Sequence, residues 1–247
     1  MDINAIYLMK QELEKRGVIN PNDVSVVSKR EKGKKFSFED HLKALIYALL
    51  TNQRKWSDVV PKLPQIDELF FNYDISKILA LDGDYFERGI RQLHCGNISI
   101  KKQMKNLNKN ICILISIEDE YGSLDNYVTS KDSDSIVKDI AAGKYKLYGV
   151  GPALAREYLR NVGIDDAKPD LHLKRFMGCE RIGVSKNREA SDAEVLKEIR
   201  QISEITGLTK FDIDYIIWCY CAEGFGEICG ATPKCRECVI RKYCRHI

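Results

Sequence analysis

The sequence predicts an all-α protein. Apolar residues recur at helical spacing almost throughout the 247 residues, and no alternating apolar–polar stretch of useful length predicts a strand. The predicted helices are short and are joined by short turns, which is typical of a compact helical fold. With 44% hydrophobic and 30% charged residues the chain is globular, and it is long enough for one large domain or two small ones.

Charge and hydropathy limit the classes of partner. The formal net charge of +3 is too small to predict nucleic-acid binding, so such binding would need a local basic patch. No apolar run is long enough to span a membrane, and the amphipathic N-terminal stretch does not have the pattern of a signal peptide. Nine cysteines without such a signal favour metal ligation over disulfides. We expect a cytoplasmic, nucleoid-associated protein, or one of another reducing intracellular compartment, with no membrane contact.

The helices can be placed from their caps and their apolar spacing. A first helix is predicted over 3–16, and a polar connection that ends in a basic run follows over 17–36. Ser37 is predicted to cap a strongly apolar helix, and Ser191 with Glu194 forms a capping-box pattern. The other predicted helices cover 54–62, 65–72, 74–81, 83–94, 100–117, 122–130, 133–142, 152–162, 171–179 and 209–222.

A Gly-Val-Gly turn opens one of these helices. Glycine at Gly149 and Gly151 permits positive φ and close approach of another backbone. Pro152 suits the first helical position, where its missing N–H costs nothing. The free N–H groups and the dipole of such a helix start favour a bound phosphate. The same pattern is common without any ligand, so on its own it leaves both interpretations open.

A carboxylate heads the next predicted helix. Asp170 follows Pro169 and precedes apolar residues at helical spacing, so it is predicted to be the N-cap of that helix. An aspartate in this position is more often a structural cap than a catalyst. A catalytic role for Asp170 therefore needs support from other parts of the chain.

Four cysteines cluster at the carboxyl end of the chain. Cys229, Cys235, Cys238 and Cys244 are spaced C-x5-C-x2-C-x5-C within the last 19 residues. Four thiolates at such close spacing suit a [4Fe–4S] cluster or a structural zinc ion. The spacing favours iron–sulfur, because zinc sites usually bring two C-x2-C pairs, and a redox disulfide pair is favoured less. Five cations share this segment and form either a phosphate-contact surface or a solvated face: Lys234, Arg236, Arg241, Lys242 and Arg245.

Together these patterns resemble the helix-hairpin-helix glycosylases of base-excision repair, the endonuclease III superfamily. The resemblance rests on LYGVGPALA, on the aspartate of KPDLHLKRF that follows it, and on the four terminal cysteines. The segment ALLTNQ looks like the family's helix end, whose glutamine fills the space left by a flipped base and would here be Gln53. The loop CGNISIKKQ looks like the loop whose apolar residue wedges the duplex, which would be Ile98 or a near neighbour.

The resemblance implies two all-helical domains with the active site in the cleft between them. One would be a six-helix domain over 37–163, and the other would be assembled from 1–36 and 164–247. The second domain would hold the [4Fe–4S] cluster in a loop over 229–244. The protein would be a monomer that binds double-stranded DNA containing a damaged or mismatched base.

The resemblance also implies a role for each candidate residue. Asp170 would stabilise the oxocarbenium-like sugar and orient or deprotonate the attacking water. The flipped base would lose its N-glycosidic bond to hydrolysis. Phosphates would be contacted by the hairpin backbone and by two cations, which are Gly149, Val150, Gly151, Ala153, Lys174 and Arg175.

Three departures from the family pattern refine this prediction. Ala153 stands where bifunctional members carry a Schiff-base lysine, which favours a monofunctional glycosylase over a lyase that uses a displaced Lys146 or Lys174. Ala48 stands where the adenine-excising branch carries its catalytic glutamate, which argues against adenine excision opposite oxidised guanine. The first cysteine gap has five residues instead of six, which slightly strengthens the zinc alternative while iron–sulfur stays favoured. A non-catalytic DNA-binding protein of the same fold and a redox iron–sulfur protein without a DNA role remain alternatives.

Overall fold

The computed structural model describes residues 1–52 and 54–246, and it confirms the all-α class because those residues form helices and no strands. Gln53, the predicted base-replacing residue, lies outside the described residues. No helix in the described part of the chain is long and apolar enough to cross a membrane. The α-helices are α1 (Ile3–Lys15), α2 (Val26–Glu31), α3 (Phe38–Leu50), α4 (Trp56–Val59), α5 (Leu63–Leu69), α6 (Ile75–Leu79), α7 (Gly83–Gln92), α8 (Ile100–Lys105), α9 (Leu107–Tyr121), α10 (Leu124–Thr129), α11 (Ser133–Ala141), α12 (Pro152–Asn161), α13 (Leu171–Phe176), α14 (Asp192–Thr206) and α15 (Lys210–Cys221).

The cap predicted at Ser37 and the capping box predicted at Ser191 are both formed, and the cap at Ser37 is also a complete capping box. At the start of α3 the backbone N–H of Asp40 donates to Ser37 Oγ over 3.2 Å, and the Ser37 N–H donates back to Asp40 Oδ2 over 3.2 Å. At the start of α14, Glu194 and Ser191 make the same reciprocal pair. Each box satisfies two N–H groups that a helix start leaves without an intrahelical acceptor.

Two predicted elements differ from the structure. The helix predicted over 100–117 is divided into α8 and α9 at Asn106, whose side-chain amide donates to the Lys102 carbonyl over 2.8 Å. This local bond competes with the helical ladder. The connection predicted over 17–36 contains the short helix α2, whose six residues give too little apolar periodicity to be recognised from the sequence.

The chain divides into two compact units. The split unit is formed by Met1–Ser25 and Asp165–Ile247, and the continuous unit is Val26–Ile164. Residues 26–36 therefore belong to the continuous unit, whereas they were predicted to belong to the assembled domain. The continuous unit includes eleven α-helices, α2 to α12, among its described residues, where the resemblance implied six.

Arg30 explains why α2 belongs to the continuous unit. Its Nε donates to the carbonyl of Val162 over 2.7 Å, and its Nη2 donates to Asp125 Oδ1 over 2.5 Å. The backbone of Gly163, with φ of +77°, lies so close to the Val26 carbonyl that a Cβ at Gly163 would meet this oxygen at 2.7 Å. These contacts fasten α2 to the end of α12.

Each unit has its own apolar core. In the continuous unit α3 packs against α12, so α12 is held along its length by a buried helix. The split unit packs α1, α13 and α14 around α15. The cysteine segment then folds back onto α15, where the backbone N–H groups of Ile228 and Cys229 donate to the Tyr220 carbonyl over 2.9 and 3.1 Å.

Candidate functional site

The Gly-Val-Gly turn forms the start of α12 as predicted, but only one of its glycines has positive φ. Gly149 has φ of +79°, and Val150 is buried with its N–H donating to the Leu147 carbonyl over 3.2 Å. Gly151 is extended, with φ of −99° and ψ of 179°. Apart from Gly151 itself and its chain neighbours, no atom of the described residues lies within 4 Å of the place that a Cβ on Gly151 would occupy. The fold thus requires glycine at 149, whereas at 151 glycine leaves open space.

The N-terminus of α12 is available to an acceptor from outside the protein. It has no side-chain cap and no acidic residue in its first turn. In the described part of the chain the backbone N–H groups of Ala153 and Leu154 have no hydrogen-bond acceptor, and Pro152 has no N–H. Gly151 and Pro152 are exposed. Because the dipole of this ten-residue helix favours negative charge here, the turn can bind a phosphate.

Two buried amide side chains hold the turn in place. The Asn110 side chain donates to the Tyr148 carbonyl over 3.0 Å and accepts from the Tyr148 N–H over 2.7 Å. Gln103 packs so closely that a Cβ on Gly149 would meet its Cγ at 3.4 Å. Neither amide was recognised from the sequence. The available signal was a polar amide at a core-facing position of a predicted helix.

The loop before α8 exposes Ile98 between two residues that are held by hydrogen bonds, Asn97 and Ser99. Asn97 is buried, and its Nδ2 donates to the Leu49 carbonyl over 2.9 Å and to Gln103 Oε1 over 3.1 Å. The Ser99 N–H donates to Asn97 Oδ1 over 2.8 Å. Between these two residues the Ile98 side chain is 85% exposed. The continuous unit therefore brings together three predicted features, which are the end of α3, the Ile98 loop and the hairpin turn.

Asp170 is the N-cap of α13, as predicted. Its Oδ1 accepts hydrogen bonds from the N–H groups of His172 and Leu173 over 2.8 and 3.1 Å. Its Oδ2 accepts no hydrogen bond from any described residue. The side chain is partly buried at the surface of the split unit. One oxygen thus fixes the carboxylate, and the other is open to a substrate or to water.

A neutral imidazole lies beside this carboxylate. Burial lowers the pKa of His172, and the charge of Asp170 only partly opposes this shift. The ring lies edge-on to Trp218 with 6.3 Å between ring centroids. His172 Nδ1 is buried and has no hydrogen-bond partner in the described residues. The imidazole therefore adds no positive charge beside Asp170 near neutral pH.

The two cations predicted to contact phosphate already have neighbours within the split unit. Lys174 Nζ forms an ion pair with Asp192 Oδ1 at 2.5 Å. Arg175 lies near the buried Cys229, and its charge contributes to the lowered pKa of that thiol. A phosphate contact by Lys174 would have to replace an existing partner. Their role in DNA binding remains a prediction.

The environment of the terminal cysteines favours the thiolate of Cys229 and disfavours that of Cys244. The neighbouring Cys221 thiol is the main reason that the pKa of Cys229 is lowered, because it stabilises the Cys229 thiolate. Burial raises the pKa of Cys244, and Cys229 and Cys238 are near enough to raise it further. Tyr220 donates to Cys238 Sγ over 3.5 Å. The described residues do not form a ready-made set of three or more metal ligands.

Arg181 adds an unpaired positive group to these cysteines. It is buried, its charge lowers the pKa of Cys229, and its Nε and Nη1 have no hydrogen-bond partner among the described atoms. A buried guanidinium without acceptors is costly unless an anion lies nearby. The donor set and this cation therefore suit a negatively charged group held by thiolates.

Two solved structures share this architecture. The 8-oxoguanine glycosylase/lyase of Methanocaldococcus jannaschii, in complex with 15mer DNA containing 8-oxoguanine, superposes with a TM-score of 0.57 at 21% sequence identity, over 88% of this chain and 95% of that chain. The 8-oxoguanine DNA glycosylase of Thermotoga maritima superposes with a TM-score of 0.54 at 17% identity, over 88% of this chain and 89% of that chain. No family model and no curated protein matches the sequence. The chain therefore has the all-helical fold of 8-oxoguanine glycosylases.

Proposed function

We propose that this protein is a DNA glycosylase that flips a damaged or mismatched base out of the duplex and hydrolyses its N-glycosidic bond. The observation that carries the proposal is Asp170, with one oxygen fixed as a helix cap and the other open, in a fold shared with 8-oxoguanine glycosylases. The uncapped turn at Gly149 to Ala153 supports it, because a helix start of this kind suits a DNA phosphate.

Asp170 is proposed to act on the sugar. Cleavage of the N-glycosidic bond builds positive charge on the deoxyribose, and an ionised carboxylate held in position stabilises that charge. Its open Oδ2 can accept the proton of the attacking water. The backbone cap keeps the carboxylate oriented throughout, so it needs no rearrangement during the reaction.

Ile98 is proposed to hold the duplex open, together with Gln53. Moving a base out of the stack costs on the order of a few kcal/mol, least for a damaged or mismatched pair. An exposed isoleucine on a base of hydrogen-bonded Asn97 and Ser99 can fill the space between stacked bases without moving the loop. This role makes use of a side chain that the core does not bury.

We propose 8-oxoguanine as the first lesion to test. Both compared structures are named as 8-oxoguanine glycosylases, and this chain covers most of each. Ala48 is fully buried in α3, so its position offers no catalytic side chain for adenine excision. A panel of duplexes with oxidised, alkylated, deaminated and mismatched bases would rank the alternatives.

The decisive variant is Asp170→Asn. Asparagine is as good an N-cap as aspartate, so α13 and the fold should be kept while the negative charge is lost. We expect excision to fall at least a hundredfold, on the order of the loss seen when one charge-stabilising group is removed. Duplex affinity, measured by fluorescence anisotropy, should change little. Equal excision by Asp170→Asn and the wild-type protein would overturn the proposal, and binding without excision by both would favour a non-catalytic DNA-binding protein.

We propose that the glycosylase is monofunctional, with Ala153 in the position of the nucleophilic lysine. The alternative lyase would need another amine. Lys174 is paired with Asp192, whereas Lys146 is exposed and has no ion pair among the described residues. Borohydride trapping on damaged duplex should give no covalent adduct. A trapped adduct that disappears in Lys146→Gln would identify a lyase.

We also propose that Cys229, Cys235, Cys238 and Cys244 hold a [4Fe–4S] cluster. When bound, such a cluster would fix the basic carboxyl-terminal segment and neutralise the buried Arg181. The purified protein should contain iron and acid-labile sulfide and should absorb visible light. A colourless protein with one equivalent of zinc would assign the site to zinc instead.

A further inference from the structure

Five exposed residues form a basic surface beside the hairpin. We call them the lysine–tyrosine track: Lys101, Lys102, Lys105, Lys109 and Tyr148. The lysines lie on α8 and the first turn of α9, and Tyr148 immediately precedes the Gly-Val-Gly turn. Lys109 Nζ lies 5.5 Å from the centroid of the Tyr148 ring. This contact joins the lysine row to the hairpin.

Buried contacts set the position of the track relative to the two predicted DNA-binding features. Gln103, between the lysines of α8, packs against Gly149 and accepts a hydrogen bond from Asn97. Asn110, directly after Lys109, holds both the N–H and the carbonyl of Tyr148. The inner faces of α8 and α9 therefore hold the Ile98 loop and the hairpin turn, while their outer faces carry the cations.

The exposed lysines of the continuous unit differ in their partners. Lys77, Lys131 and Lys144 each form an ion pair with a nearby carboxylate, whereas others, such as Lys138 and Lys146, form none among the described residues. The four lysines of the track also form no ion pair with any described residue, and they differ from the other unpaired lysines because they lie on the two helices that hold the Ile98 loop and the hairpin turn. Lys109 also lies in the first turn of α9, which contains no acidic residue and where the helix dipole disfavours a cation. The fold gains little from these charges, which points to an external anion.

We propose that the lysine–tyrosine track binds the phosphate backbone of double-stranded DNA, next to the phosphate held by the hairpin turn. Lysine ammonium groups would contact successive phosphates, and the Tyr148 ring would pack on the adjacent deoxyribose while it keeps Lys109 in position. The track would hold the duplex in register while Ile98 enters the stack. This inference rests on the proposed function and extends the surface through which that function engages DNA.

Salt dependence tests the track directly. Each lysine that neutralises a phosphate contributes a slope of about 0.9 to the fall of log affinity with log salt concentration. For Lys105→Gln and Lys109→Gln we expect the slope for an undamaged duplex to decrease by about this amount for each substitution. Lys77→Gln is the control, because it makes the same change in net charge at a lysine that is 64% exposed but paired with Asp74.

Tyr148 provides a second and independent readout. Tyr148→Leu removes the ring that lies under Lys109, so it should weaken binding by itself and add little in combination with Lys109→Gln. All variants should keep the wild-type melting temperature, because the changed side chains are exposed. Unchanged slopes in both lysine variants, or an equal decrease of the slope in Lys77→Gln, would contradict the proposal that the track binds DNA phosphates.

The test of the track can be distinguished from the test of the proposed glycosylase activity. The slopes are measured on undamaged duplex, so they do not depend on excision. Loss of excision in Asp170→Asn with unchanged slopes in the lysine variants would reject the track and keep the glycosylase. Decreased slopes in a protein that excises none of the tested bases would keep the track and reject the glycosylase.

Discussion

Ile98 is an apolar side chain that the fold keeps in solvent. Burial of an isoleucine side chain stabilises a folded protein by about 1.5–3 kcal/mol, and the exposed Ile98 does not make this contribution. Instead the buried side chain of Asn97 donates to Leu49 and Gln103 and accepts from the Ser99 N–H, and these hydrogen bonds fix the loop. Single exposed apolar residues are common, but the loop that carries Ile98 is held by buried polar contacts and shares Gln103 with the candidate phosphate site.

We expect Ile98→Ala to reduce excision from duplex DNA about tenfold, which corresponds to a loss of about 1.4 kcal/mol of support for the flipped state. The same variant should excise the base from single-stranded DNA at the wild-type rate, because no stack has to be opened. Ile205→Ala is the matched control, since Ile205 is 67% exposed on α14. Equal losses on single-stranded and duplex substrates would contradict the wedge role.

At the residue scale the sequence predicted local roles better than distant partners. The N-cap role of Asp170 and the capping boxes depend on neighbours two or three residues away, so they can be read from the sequence alone. The buried amides of Asn97, Gln103 and Asn110 bond to backbone carbonyls and N–H groups that are distant in the sequence. Such pairs depend on helix packing, which apolar periodicity does not specify.

At the scale of single elements, the two glycines of the hairpin turn have different roles. Gly149 is needed for its positive φ, whereas Gly151 leaves open space in front of the helix start. Gly149→Ala must place a Cβ at φ of +79° and against Gln103, so it should destabilise the continuous unit by roughly 1–2 kcal/mol. Gly151→Ala meets no described atom within 4 Å and has φ of −99°, so its thermal stability should equal that of the wild type.

For the affinity for duplex DNA we expect the opposite order, with the effect in Gly151→Ala. The Cβ of Gly151→Ala would occupy the open space in front of the helix start, so we expect a severalfold weaker affinity for duplex DNA in a fully stable protein. Anisotropy titrations at fixed salt concentration, alongside melting curves, would measure both effects. Unaltered affinity in Gly151→Ala would show that the phosphate does not approach this part of the turn.

A buried polar network joins α2, α3, α10 and α12. Tyr158 OH lies 2.6 Å from His41 Nδ1, and His41 Nε2 lies 3.6 Å from Asp125 Oδ1, which also accepts from Arg30. His41 is fully buried, and burial lowers its pKa to about 4. The imidazole is therefore neutral near pH 7, and it supports the helix that begins at the hairpin.

This network predicts a specific acid sensitivity. The unfolded chain protonates His41 near the ordinary pKa of 6.5, whereas the folded chain resists protonation down to about 4. The stabilising contribution is thus complete above pH 6.5 and is lost as the pH falls through 4. The difference corresponds to roughly 3 kcal/mol in the free energy of unfolding.

Trp56 can report this change in the continuous unit. The chain has two tryptophans, and Trp218 lies in the split unit, so Trp218→Phe leaves Trp56 as the single fluorophore. Urea unfolding of Trp218→Phe between pH 7 and 4 should show the loss, and His41→Gln in this background should flatten the dependence. An equally steep dependence with glutamine at position 41 would assign the effect to other groups.

At the scale of the whole molecule, the helical class followed from apolar spacing that extends over most of the chain. The boundary at residue 26 did not, because α2 joins the continuous unit through the hydrogen bonds of Arg30 and has only two apolar residues, Val26 and Val27, which are too few to give a periodic pattern. The four-cysteine pattern was visible in the sequence. The surrounding Arg181, Tyr220 and Cys221 were not, since they come from other segments of the split unit.

The separate cores predict that loss of the proposed cluster would destabilise only the split unit. The cysteine segment forms hydrogen bonds with α15 and with Arg181, and all of these groups lie within the split unit. Oxidation and chelation of the iron should therefore lower the free energy of unfolding of this unit by several kcal/mol, on the order of the contribution of a structural metal site. Trp218, which packs on Phe225 at 4.5 Å between ring centroids, reports it in Trp56→Phe. The urea midpoint seen by Trp56 in Trp218→Phe should stay unchanged after the same treatment. A split-unit midpoint that is insensitive to chelation would mean that the four cysteines hold no structural metal group, and equal shifts in both units would mean that the loss spreads beyond the split unit's core.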